Sequence, residues 1–216
     1  MHKPIEIKIC GLTCLDDAKA ALDAGADFLG FVTYAKSPRA ISPQKLRSLL
    51  DQLGGAARSV AIFVNEPARH VREVARDCGL YAAQIHGDER AEDFADMPVP
   101  VWRAVRLRGG AREPQPDTWF AVRYVVDAVV PGQYGGTGVP ADWAAAARFA
   151  GKYPTMLAGG LTPENVADAI RRVKPAGVDV SSGVETAPGR KDHARIAQFI
   201  REVRKLWVEG REPDSV

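Results

Sequence analysis

The sequence predicts an α/β chain closed into a single-domain (β/α)8 TIM barrel, and three observations carry that prediction. Short apolar runs of strand length alternate with segments of helical periodicity eight times along the chain. The strands are apolar on both faces, which suits a parallel sheet covered by helices. Composition is that of an ordinary globular protein, with 46% hydrophobic and 26% charged residues and no disorder signature. Alternation alone leaves a doubly wound open sheet as the competing architecture. No composition shift divides the 216 residues, so one domain is expected over 1–208, with a frayed tail at 209–216.

The elements follow in order. IEIKIC (5–10) is a strand, and the helix from Leu15 carries Ala18, Ala21 and Leu22 on the same face, with Thr13 ahead of it as a cap. DFLGFVT (27–33) leads to a helix that Ser42 caps and Pro43 opens, because proline's missing N–H is no loss at the first helical position. SVAIFV (59–64) precedes a helix at 67–78 with Val71, Val74 and Ala75 on one face and Asn65 as its cap. YAAQIHG (81–87) precedes a short helix at 89–95. VPVWRAVRL (99–107) is followed by RGGAREPQPD, whose glycines and prolines make it the weakest helix candidate. RYVVDAVV (123–130), a glycine-rich loop and a helix at 140–150 form the sixth unit. PTMLAGG (154–160) runs into TPENVADAIRRV, where Thr162 caps and Pro163 opens. GVDVSSG (177–183) runs into the last long helix, 191–208.

Charge and motifs exclude several functions. A net charge of +2 gives no long-range pull on a polyanion, so nucleic acid is not an expected partner. No apolar run approaches the roughly 20 residues that span a bilayer, and the N-terminus lacks the order of a secretory signal. A cytoplasmic protein is expected. Three cysteines, Cys10, Cys14 and Cys78, are too few for a disulfide framework and are read as free thiols. With four histidines, His2 terminal and His70 inside a helix pattern, no metal site is expected. Nucleotide-binding fingerprints and the G-x-S-x-G elbow are absent from the sequence.

In a barrel of this kind reactive groups lie where strands end and loops begin. Cys10, Arg39, Asn65, His86, Asp127, Gly159, Gly160, Asp179 and Ser181 stand at or just past successive strand ends. Each also has a structural reading: a small buried apolar residue for Cys10, a ring satisfied by backbone for His86, an anchor for loop amides in Asp179. LAGGLTPENV and VDVSSGVE bring glycines and small hydroxyl residues to the last two strand ends, where unpaired amides can gather on an anion. A phosphorylated small molecule is the simplest ligand.

Read together, KICGLT, FVTYAKSPRAIS, VAIFVN, QIHGDE, VVDAVV with its YGGTG loop, LAGGLTPENV and VDVSSGVETAPGRKD resemble the phosphoribosylanthranilate isomerases. The resemblance spans about Lys8 to Asp192 and departs from the family pattern at Thr33, where an aromatic residue is usual. It implies a cofactor-free enzyme of tryptophan biosynthesis that converts N-(5-phosphoribosyl)anthranilate to 1-(2-carboxyphenylamino)-1-deoxyribulose 5-phosphate by an Amadori rearrangement. It further implies Cys10 as general base, Asp127 as general acid and Arg39 as partner of the anthranilate carboxylate. The phosphate falls to the amides around Gly159, Gly160, Ser182 and Gly183 with the Ser181 hydroxyl; His86 and Asp179 complete the expected substrate-binding set. The YGGTG loop is expected to close as a lid. Lys8, two residues deeper in its strand, is expected to lie out of direct reach of the thiol. Other phosphosugar barrels would call for strand-end lysines or metal-binding histidines, and a sensor without turnover would lack the acid or the base. No obligate protein partner is expected, and a monomer rather than a dimer.

Overall fold

The computed structural model describes residues 4–55, 57–108, 111–127 and 143–209. Its ring strands are β1 (Glu6–Ile9), β2 (Phe28–Val32), β3 (Ser59–Phe63), β4 (Ala82–Ile85), β5 (Val101–Arg108), β6 (Arg123–Asp127), β7 (Thr155–Leu157) and β8 (Gly177–Val180). They pair in parallel in the order β4-β3-β2-β1-β8-β7-β6-β5, and β5 returns to β4 with Ala83 opposite Val101 and Ile85 opposite Arg103. The sheet is therefore a closed barrel, not an open doubly wound one.

Alternation along each strand sorts side chains between two cores. Phe28, Val60, Ala82, Trp102, Val125 and Met156 form a cluster inside the ring, while their next neighbours Leu29, Ala61, Ala83, Val126 and Leu157 join the larger cluster under the helices. The helices are α1 (Leu15–Asp23), α2 (Pro43–Leu53), α3 (Ala68–Asp77), α4 (Trp143–Ala150), α5 (Val166–Val173) and α6 (His193–Glu209). α6 lays Ile196, Phe199, Ile200 and Val203 into the outer core. It also includes Glu209, the first residue of the expected tail; 210–216 lie outside the described residues.

Several element ends differ from the sequence reading. Ser42 does cap α2, accepting from the Lys45 N–H at 3.2 Å, with Pro43 at its start. Thr13 does not cap α1: its hydroxyl donates to the Gly189 carbonyl at 2.7 Å, tying the first loop to the last. Asn65 does not cap α3; it sits at a φ of 54° and its Oδ1 accepts from the Asp88 N–H at 2.7 Å, bridging two loops. α5 starts at Val166 rather than Pro163, because the Asn165 side chain folds back to take the Thr162 N–H and to donate to the Gly160 carbonyl. The short fourth helix is a 3-10 turn, Ala91–Phe94. The weak fifth unit holds no α-helix among the described residues: strand Ala111–Glu113 folds back on β5 and a 3-10 turn, Pro116–Thr118, follows. Trp119 is buried beside Phe94, and the buried Arg103 guanidinium lies 4.5 Å from its ring centre while donating to the Ile85 and Gly87 carbonyls.

Candidate active site

The lumen holds an apolar cluster toward the N-terminal ends of the strands and turns polar at the other. Inward positions run Phe28, Gly30, Val32 on β2, and Ala82, Gln84, then His86 just past β4. On β8 and its loop they run Gly177, Asp179, Ser181; on β1 they run Glu6, Lys8, then Cys10. An open cavity sits on the polar end. Cys10, Arg39, His86, Gly159, Gly160, Asp179, Ser181 and Ser182 all line it, together with Tyr34 and Gln84. Tyr34 supplies the aromatic wall that Thr33 does not; the Thr33 hydroxyl donates to the Ile62 carbonyl.

Cys10 leaves β1 directly above a buried ion pair. Lys8 Nζ donates to Asp179 Oδ2 at 2.7 Å, with both side chains nearly sealed from solvent. The Lys8 stem and the Cys10 sulfur crowd the same side of Gly30, so depth does not keep Lys8 from the neighbourhood of the thiol. A strand step is about 3.3 Å, and the flexible four-carbon lysine stem climbs the two-residue gap. Burial pushes the Cys10 thiol up, Lys8 and Lys191 pull it down and Asp179 pushes it up; the balance lies above the ordinary thiol range. Burial pulls the Lys8 ammonium down, but Asp179 and Cys10 outweigh it and hold the group cationic.

Arg39 is fixed before any substrate arrives. Its Nε and Nη2 donate to the two oxygens of Glu185 at 2.8 and 2.6 Å. Glu185 opens a two-stranded hairpin, Glu185–Ala187 with Arg190–Lys191, and its Oε1 also accepts from Lys191 Nζ at 2.8 Å and the Gly189 N–H at 3.3 Å. Burial pushes the Glu185 carboxyl up, yet Arg39 and Lys191 together hold it below the usual range. The guanidinium edge formed by Nη1 and Nη2 is left for a second planar acceptor. Neither Glu185 nor Lys191 was singled out in the sequence, although both stand in the VETAPGRK stretch.

The last two strand ends meet the glycine expectation. Gly159 and Gly160 have φ of 83° and 68°, a left-handed turn that glycine adopts without strain. The amides of Gly159, Gly160, Ser182 and Gly183 find no acceptor among the described residues. A Cβ on Gly183 would run into the Leu161 carbonyl, so the two loops approach as closely as they do only with glycine there. The Ser181 hydroxyl is buried near Gly11 and the Arg39 stem, without a hydrogen-bond partner among the described residues. His86 receives the Gln84 amide at 3.1 Å, and burial, Arg103, Lys8 and Arg106 lower it to about 3, so the ring is neutral. Asp127 is the last residue of β6, at the same end of the ring as Cys10, with its Cα opposite Arg106 and Val125 two residues before it on the cavity wall. The YGGTG loop expected as a lid lies outside the described residues.

The family described as N-(5'-phosphoribosyl)anthranilate (PRA) isomerase matches residues 7–202, a span that holds every residue lining the cavity. The chain belongs to that family. The N-(5'-phosphoribosyl)anthranilate isomerase of Pelobacter propionicus is 44% identical over 95% of this chain and 99% of its own. The crystal structure of the Thermus thermophilus phosphoribosyl anthranilate isomerase superposes with a TM-score of 0.83 at 33% identity, over 94% of this chain and all of that one. A second solved phosphoribosyl anthranilate isomerase, at TM-score 0.77 and 34% identity over 94% of this chain and all of its own, is in complex with reduced 1-(o-carboxyphenylamino)-1-deoxyribulose 5-phosphate. No helix among the described residues is long and apolar enough to cross a membrane.

Proposed function

We propose that Cys10 and Asp127 are the base and the acid with which this family member rearranges N-(5'-phosphoribosyl)anthranilate. The observation that carries the reading is one cavity with a thiol, an arginine edge and open glycine amides on separate walls. The amides of Gly159, Gly160, Ser182 and Gly183 hold the phosphate, as oriented backbone N–H dipoles hold anions at helix starts and in tight turns. The remaining Arg39 edge receives the anthranilate carboxylate in two parallel hydrogen bonds. These two anchors stretch the sugar across the mouth between β1 and β6.

Asp127 gives its proton to the furanose oxygen, the C1–O bond breaks, and the nitrogen lone pair makes the iminium. Cys10 thiolate then takes the proton from the sugar's second carbon. The S–H bond forms, the C–H electron pair becomes the C1–C2 double bond, and the iminium electrons return to nitrogen as an enolamine. Tautomerisation gives the ketone. Asp127 has to enter protonated, which the anionic substrate favours, and Cys10 has to ionise, which the iminium favours.

Kinetics of Cys10→Ala and Asp127→Asn test the assignment. Each variant is expected to lose roughly 10²- to 10⁴-fold in kcat, the usual worth of one acid-base group, with product affinity nearly intact. A Cys10→Ala enzyme that turns over like the parent removes Cys10 from the chemistry.

A further inference from the structure

Lys8 has no evident structural use. It is fully buried in the lumen, where comparable inward positions hold Val60, Val125 and Met156, so an apolar side chain would suit the site. Buried ion pairs add little stability over apolar residues of similar volume, because desolvation of both charges offsets their attraction. The pair with Asp179 is nevertheless short, at 2.7 Å, and Asp179 Oδ1 is buried with no partner among the described residues. The stem of the same lysine stands beside the Cys10 sulfur. A single point beside Gly30 Cα lies 2.9 Å from Cys10 Sγ and 3.0 Å from Lys8 Cε, and the missing Gly30 side chain is what admits both groups.

We propose that Lys8 is a positioning residue for the base: its ammonium, anchored by Asp179, is the counter-charge against which the Cys10 thiolate forms. The role rests on the reading of Cys10 given above. Four charged groups face the sulfur: Lys8 from its own strand, Asp179 from β8, Lys191 from the hairpin and Arg39 from the loop after β2. Lys191 and Arg39 already share Glu185, which offsets their charge. Lys8 is the cation whose stem shares the space beside Gly30 with the sulfur, and removing it leaves Asp179 unpaired there. On ionisation the thiol proton goes to solvent and Lys8 keeps its own, so no proton is shared between the two groups.

The test is the pH dependence of Cys10 alkylation by iodoacetamide in the substrate-free enzyme, followed by mass spectrometry of the Cys10 peptide. Lys8→Met is expected to move the midpoint up by about one pH unit, so that alkylation below the midpoint slows about tenfold. The rising limb of the kcat profile is expected to move with it while KM stays near the parent value. Because Lys8→Met leaves Asp179 unpaired, the double variant Lys8→Met/Asp179→Asn is measured beside it and is expected to shift in the same direction by less. An unchanged or lowered midpoint in the folded variants overturns the proposal. Failure of both variants to fold also overturns it, because the pair is then structural. Loss of the Cys10 assignment shows separately, as parental turnover in Cys10→Ala with the alkylation shift still present.

Discussion

Burial and the cations Arg103, Lys8 and Arg106 keep His86 uncharged in the folded protein, at about 3, whereas an unfolded histidine titrates near 6.5. The native state therefore binds fewer protons than the unfolded one between those values. Stability from this residue is complete above the unfolded value and is lost as pH falls towards the folded one. Urea denaturation across that window is expected to show a flatter loss of stability in His86→Asn, by up to about 1.4 kcal/mol per pH unit, the slope of one proton. Residues of this kind were legible because the cavity is built at strand ends: Cys10, Arg39, His86, Gly159 and Gly160 all line it. Lys8 was misjudged because strand rise was counted and side-chain reach was not. A charged inward position in an apolar strand was itself a signal.

Among the elements, the hairpin from Glu185 to Lys191 matters most to the site. It brings one carboxylate between Arg39 and Lys191, and Thr13 fastens its turn through the Gly189 carbonyl. Glu185→Gln keeps the shape but removes the charge that aligns the guanidinium. KM for the substrate is expected to rise about tenfold, since hydrogen bonds to charged groups are worth about 1.5–3 kcal/mol, with kcat changed far less. Steady-state kinetics with the folded variant decide it. Helices with a local signal were readable, as Ser42 and Pro43 at α2 show. Thr13, Asn65 and the start of α5 were misread because each side chain found a partner in another loop or turned back on its own.

For the whole molecule, closure of the ring is expressed in the lumen. Trp102 on β5 reaches across to Phe28 on β2, with ring centres 4.9 Å apart at 80°. Both are nearly inaccessible to solvent. Trp102→Ala is expected to cost about 3–5 kcal/mol in equilibrium unfolding, the range for a buried aromatic truncated to a cavity. The loss should appear as one cooperative transition at lower denaturant. The reacting end lies beyond this cluster, so KM is expected to stay near the parent value.

Alternation of apolar runs with helical periods is a local property, and it placed eight strands and the end of each at which side chains would meet a ligand. Partners far apart in the chain are not local. Lys8 and Asp179 are separated by 171 residues, and Arg39 and Glu185 by 146. Their pairing depends on β1 lying beside β8, and the closed ring depends on the ladder between β4 and β5. Those contacts exist only once loop closure has been overcome by the whole core, so only the tertiary structure decided them.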